Sequence, residues 1–144
     1  MSESADIRRA AMNLLARREH SRQELFEKLQ RRFSQELVDP ELDRLADENL
    51  QSDERFTESF IRSRLARYQG PARIRGELRQ RGVQEALYER VLSGIPVDWF
   101  ALLAELNQRK FAGAPAANAA EKARRIRFFQ YRGFSFDQIS SLMD

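Results

Sequence analysis

Apolar residues recur three and four apart along almost the whole chain, and strict alternation is nearly absent. That period predicts helices and argues against strands. The first helix is expected from about Ser4 to Arg18, with Ile7, Ala10, Ala11, Leu14 and Leu15 on one face. A second begins at a capping box, Ser21 with Glu24, and carries Leu25, Phe26, Leu29 and Phe33. Asp39-Pro40 reads as an N-cap followed by a first-turn proline, which opens a third through Leu42, Leu45, Ala46 and Leu50. A fourth starts near Ser52-Asp53 with Phe56, Phe60, Ile61, Leu65 and Tyr68 inward, and Gly70-Pro71 ends it and starts a fifth with Ile74 and Leu78. Gly82 is the expected left-handed residue that closes the fifth. A sixth follows from about Gln84 to Ser93, and Pro96-Val97-Asp98 opens a seventh with Trp99, Phe100, Leu103, Leu106 and Phe111. A loose segment over 112–118 precedes an eighth helix from Asn118 to about Arg132. Gly133 ends it, and Ser135 with Gln138 caps a short ninth over Phe136 to Met143.

These nine group in threes. Leu29-Gln30-Arg31-Arg32-Phe33, Leu78-Arg79-Gln80-Arg81-Gly82-Val83 and Phe129-Gln130-Tyr131-Arg132-Gly133-Phe134 share an apolar–basic–turn–apolar pattern at spacings of 49 and 51 residues. A fixed period near that length marks stacked supersecondary units. The expected fold is all-α: three tandem three-helix repeats over 1–51, 52–94 and 95–144, forming an elongated, curved array.

Composition narrows the function. With 42% hydrophobic and 33% charged residues, the 144-residue chain is globular with a heavily charged surface. It has no apolar run long enough to span a membrane, no hydrophobic leader at its start and no cysteine. A cytoplasmic location is expected. The single histidine, His20, reads as a surface residue next to a cap. Zinc ligands, a phosphate loop and a dinucleotide glycine pattern are all missing from the sequence. Asp53-Glu54 fits the favourable end of a helix dipole better than acid–base work. Neither catalytic residues, nor a cofactor, nor a metal is expected.

Charge is unevenly placed. Residues 1–58 hold 14 acids and 10 bases, a net of −4, whereas residues 59–144 hold 8 acids and 15 bases, a net of +7. Bases cluster at Arg62, Arg64, Arg67, Arg73, Arg75, Arg79 and Arg81 around the single acid Glu77, and again at Lys122, Arg124, Arg125, Arg127 and Arg132. With so few local acids to neutralise them, these segments are expected to bind a polyanion or an acidic protein. The candidate contacts are Arg67, Arg73, Arg75, Arg79, Arg81, Lys122, Arg124, Arg125, Arg127 and Arg132. Phe128, Phe129 and Tyr131 lie among the second group, with Tyr131 on one helical face with Arg124 and Arg127; Phe128 and Phe129 are expected in the core rather than as base-stacking platforms.

Three segments resemble one family in order along the chain. Arg67-Tyr68-Gln69-Gly70-Pro71-Ala72-Arg73-Ile74-Arg75-Gly76-Glu77-Leu78-Arg79-Gln80-Arg81-Gly82-Val83 is similar to the central signature of RecX regulators, with the base before the glycine set back to Arg67. Leu14 to Leu29 resembles the family's opening, Arg132 to Ile139 its close, and Asp53-Glu54-Arg55-Phe56 its acidic pair before an aromatic. The resemblance implies three tandem three-helix units. It also implies a monomeric, non-enzymatic regulator that binds the RecA filament, with a weak contact to single-stranded DNA inside it, and restrains recombinase, ATPase and coprotease activity in DNA repair and the SOS response. Two other readings compete. One is a direct DNA-binding helix-turn-helix module over Ser21–Phe33 and Asp39–Leu50, although Glu41, Asp43, Asp47 and Glu48 on its second helix would repel phosphate. The other is a helical-repeat adaptor for a different protein.

Overall fold

The computed structural model describes residues 2–143. Among them are nine α-helices and no strand: α1 (Glu3–Leu15), α2 (Arg22–Leu29), α3 (Gln35–Asp47), α4 (Asp53–Leu65), α5 (Pro71–Gln80), α6 (Glu85–Ser93), α7 (Trp99–Phe111), α8 (Ala119–Tyr131) and α9 (Phe136–Met143). The chain divides into two compact units. The first comprises residues 1–60 and 78–92, and the second residues 61–77 and 93–144. The division runs through α4 and α5, each of which gives one end to either unit.

In the first unit α1, α2 and α3 pack on one another. Ile7, Ala11, Leu25, Leu29, Val38, Leu42 and Leu45 form their core, and Ala10, Leu14, Leu15, Phe26 and Phe33 lie against it. α2 starts as its sequence predicts: Ser21 Oγ accepts from the Glu24 amide at 3.1 Å, and Glu24 accepts from the Ser21 amide at 3.0 Å. The same Ser21 hydroxyl donates to the Arg81 carbonyl at 2.8 Å, which ties the cap to the far end of α5.

α3 departs from expectation. It begins at Gln35 behind Ser34, so Asp39 is not its cap and Pro40 sits inside the helix. Val38 explains the extra turn, because it is fully buried and only a helical backbone from Ser34 onward brings it to the core. Pro40 removes one amide donor, and burial of Val38 offsets that loss. Leu50, expected inward, is 36% exposed. His20 is the second correction. It is 2% exposed rather than on the surface, with Nδ1 donating to the Arg18 carbonyl at 3.0 Å and Nε2 accepting from Lys28 Nζ at 3.0 Å. A carbonyl can only accept, which sets the tautomer.

In the second unit α9 packs on α7 and α8. Leu103, Leu106, Phe129, Phe134 and Ile139 are its core. Phe111, Phe128 and Phe129 meet edge to face with centroids 5.5 to 5.9 Å apart, so Phe128 and Phe129 serve packing.

Several helices end in a left-handed residue. Residue 82 donates to Arg79 and residue 83 to Leu78; residue 133 donates to Gln130 and residue 134 to Phe129. Both are Schellman closures with glycine in the left-handed position, Gly82 at φ 80° and Gly133 at φ 102°. α4 closes the same way at Tyr68, φ 58°, so the helix ends at Leu65 and Tyr68 is not part of it. The repeat seen in sequence holds in register, since Leu29, Leu78 and Phe129 are all buried.

Candidate anion-binding face

The second unit brings the start of α5 onto the end of α8. Gly70 N donates to the Arg132 carbonyl at 2.7 Å, and Ala72 N donates to the Gly133 carbonyl at 3.1 Å. Two glycines permit this approach. A Cβ on Gly70 would stand 2.4 Å from the Gly133 carbonyl carbon, and one on Gly133 would stand 2.5 Å from Arg73 Cβ. Arg132 adds a strut, its Nη2 donating to the Arg67 carbonyl.

The joint sets Arg73 against Tyr131. The Arg73 guanidinium lies 4.9 Å from the Tyr131 ring centroid, and its Nη1 reaches the Tyr131 carbonyl at 3.4 Å. Its Nε pairs with Glu77 at 2.9 Å, on the same carboxylate that Arg64 Nε meets at 3.0 Å. Burial alone would raise Glu77, but the hydrogen bonds from Arg73 and Arg64 outweigh it and hold the carboxyl below its ordinary range. Tyr131 itself is 73% exposed. Arg127 and Arg124 share its helical face at intervals of four and three residues, and both are exposed. The only acid on α8 is Glu121, which Arg125 engages at 2.6 Å.

The ten sequence-predicted residues fall into two sorts. Arg67, Arg79, Lys122, Arg124 and Arg127 are exposed. Arg79 and the remaining five find partners that the sequence pattern did not reveal. Arg79 Nη1 donates to the Tyr88 hydroxyl at 3.0 Å. Arg81 stacks 4.7 Å from the Phe60 centroid and lies 3.6 Å from Glu24. Arg125 is 7% exposed, donates to the Ala114 carbonyl at 2.5 Å and stacks on Phe111. Arg75 is half-buried and also engaged. Arg132 is partly buried, and that burial, with Arg73 nearby, lowers its proton affinity. Local acids are scarce in these segments, but tertiary neighbours supply carbonyls, rings and one distant carboxylate instead. Arg73, Arg67, Arg132, Arg127 and Arg124 belong to the joint or to the helix that forms it. Arg79 and Arg81 lie in the first unit. The shared face of Tyr131, Arg127 and Arg124 is the one that their spacing in the sequence predicts.

Among the described residues no group of three or more acid, histidine or cysteine side chains is placed to hold a metal, and no helix is long and apolar enough to cross a membrane. The molecule is thus an all-helical protein with a cationic, aromatic face in its last third. Its three family-model matches are the first three-helix domain of RecX over residues 8–45, the second over 52–92 and the third over 97–143. The chain belongs to the RecX family. It is 51% identical over 138 residues to the regulatory protein RecX of Pseudomonas savastanoi pv. phaseolicola, covering 95% of this chain and 89% of that one. With its counterpart in Ectopseudomonas mendocina it shares 49% identity over 95% of this chain and 92% of that one. The fold matches a crystal structure of RecX from Lactobacillus salivarius with a TM-score of 0.75 at 21% identity, over 97% of this chain and 94% of that one. The chain is a regulatory protein of this family, not an enzyme.

Proposed function

We propose that this protein binds the RecA–DNA filament as a monomer in the cytoplasm and lowers the recombinase, ATPase and coprotease activity of RecA in DNA repair and the SOS response. The observation that carries the reading is the match of all three RecX domains in order. The charge pattern supports it: in the first unit the 3%-exposed Glu41 is taken up by Ser4, Arg8 and Arg44, while exposed cations gather on α8. The repeats that act are 1–51, 52–94 and 95–144. Arg67, Lys122, Arg124 and Arg127 make direct contact with the filament's anionic groups, and Arg73 does so beside Tyr131. Arg125 and Arg132 brace the backbone beside them through the Ala114 and Arg67 carbonyls, and Arg75, Arg79 and Arg81 are further candidate contacts. A helix-turn-helix reading is disfavoured because Asp43 and Asp47 on α3, and Glu48 at its cap, are exposed acids where phosphate would lie. The test is RecA-dependent ATP hydrolysis on single-stranded DNA, with the wild type and with Arg124→Glu/Arg127→Glu. The double reversal keeps its helical circular dichroism and loses most of its inhibition. Equal inhibition by both proteins would remove this face from the account.

A further inference from the structure

Tyr131 takes no part in the core of its unit. It is 73% exposed at the end of α8, whereas Phe128 and Phe129 beside it turn into the core. Its position is nevertheless closely controlled. Two backbone hydrogen bonds join Gly70 and Ala72 to the Arg132–Gly133 turn, and no side chain larger than hydrogen fits at either glycine. The result is an exposed ring with a guanidinium 4.9 Å from its centroid. Glu77 holds that guanidinium from behind. Arg127 lies four residues earlier on the same helix, about 6 Å along the axis, and Arg124 about 4.5 Å beyond it.

We propose that Tyr131 is a stacking platform for one unpaired nucleobase of single-stranded DNA, with Arg127 and Arg124 following the adjoining phosphates. The inference rests on the reading that the filament's nucleic acid meets this face. A flat, solvated ring beside guanidinium groups fits a base plane and its backbone, since every base offers a π-face and every nucleotide a phosphate. A duplex hides its bases, so the platform favours single strands. Protein acids would satisfy Arg124 and Arg127 equally well, but they give the ring nothing to stack on.

The experiment measures binding of a fluorescently labelled thymidine oligomer by anisotropy at low salt without RecA, alongside an oligomer of equal length carrying abasic sites. The wild type binds the thymidine oligomer more tightly. Tyr131→Ala weakens that binding by about five- to a hundredfold, as expected for one lost stacking contact, while Tyr131→Phe and Tyr131→Trp stay within about threefold of wild type, a spread smaller than that contact is worth. On the abasic oligomer Tyr131→Ala and wild type bind alike, and Arg127→Glu weakens both oligomers. Because Tyr131 is exposed, circular dichroism of all variants stays at the wild-type level. Wild-type binding that ignores the bases, or Tyr131→Ala binding equal to wild type on thymidine, overturns the proposal. So does a Tyr131→Ala protein that loses filament inhibition while keeping its oligomer affinity, because the ring would then face RecA protein. Inhibition of RecA that survives Tyr131→Ala leaves the filament reading intact even where stacking fails.

Discussion

Gly70→Ala is the sharpest perturbation of the joint that builds the cationic face. The added Cβ would stand 2.4, 2.5 and 2.6 Å from Gly133 C, Gly133 O and Phe134 N, all of them backbone atoms that cannot rotate away. Relief requires the start of α5 to move off the end of α8. That motion breaks the bonds from Gly70 N to Arg132 O and from Ala72 N to Gly133 O. Two lost hydrogen bonds cost about 2 kcal/mol net, and overpacking adds about 1–3 kcal/mol. The smaller conformational freedom of unfolded alanine returns about 0.4–1 kcal/mol. The net loss is about 2–4 kcal/mol, large beside a typical domain stability of roughly 5–15 kcal/mol. Trp99, the single tryptophan, packs against the core of the second unit, so its emission reports this unit directly. With a urea dependence of about 1–3 kcal/mol per molar, the unfolding midpoint falls by about 0.7–4 M. A shift below about 0.3 M, too small for even one lost hydrogen bond, would refute the steric reasoning and with it the claim that the two glycines set Arg73 against Tyr131.

Two further outcomes follow from the first unit. Ser21→Ala removes a cap and also orphans the buried bond to the Arg81 carbonyl, so urea unfolding should show a loss of about 2 kcal/mol, twice that of the cap alone; a loss below about 0.5 kcal/mol would contradict the link. Burial first, and then the charges of Arg18 and Lys28, lower the pKa of His20, so folding favours its neutral form. Its contribution is therefore complete above the ordinary imidazole value of 6.5 and is lost as pH falls below it. Glu24, Glu41 and Glu77 are held low and lose their contributions only below the ordinary carboxylate value of 4.5. The urea midpoint should drop between pH 7.5 and 5.5, a range chosen to bracket the ordinary imidazole value, and the drop should vanish in His20→Gln; an identical drop in that variant would assign it to another group.

Helices were legible because their signals are local. Capping boxes at Ser21 and Ser135, the Asn118 cap and the glycine closures at positions 82 and 133 lie within a few residues of the turns they make. The misplaced start of α3 and the burial of His20 have a tertiary cause. Val38 and His20 are drawn inward by neighbours more than a turn away, and a cap-and-proline signal outranks burial only where no core is present to compete. Tyr68 is harder still to anticipate. A left-handed tyrosine costs about 1–2 kcal/mol of strain, yet its ring packs on the second core and its hydroxyl donates to Glu105 at 2.9 Å. The basic segments are plain in the sequence, but the tertiary partners of their side chains are not. Counting local acids cannot anticipate that Arg81 finds Phe60 and Glu24, that Arg79 finds Tyr88, or that Arg125 closes on Ala114. What remains outward includes Arg67, Arg79 and a stripe on α8 with one aromatic ring at its end.

The most direct test of the central claim is the rate of ATP hydrolysis by RecA on single-stranded DNA, measured as this protein is titrated in from substoichiometric amounts. The account predicts that the rate falls with the wild type and recovers most of its value with Arg124→Glu/Arg127→Glu. A rate unchanged by excess wild-type protein would contradict it.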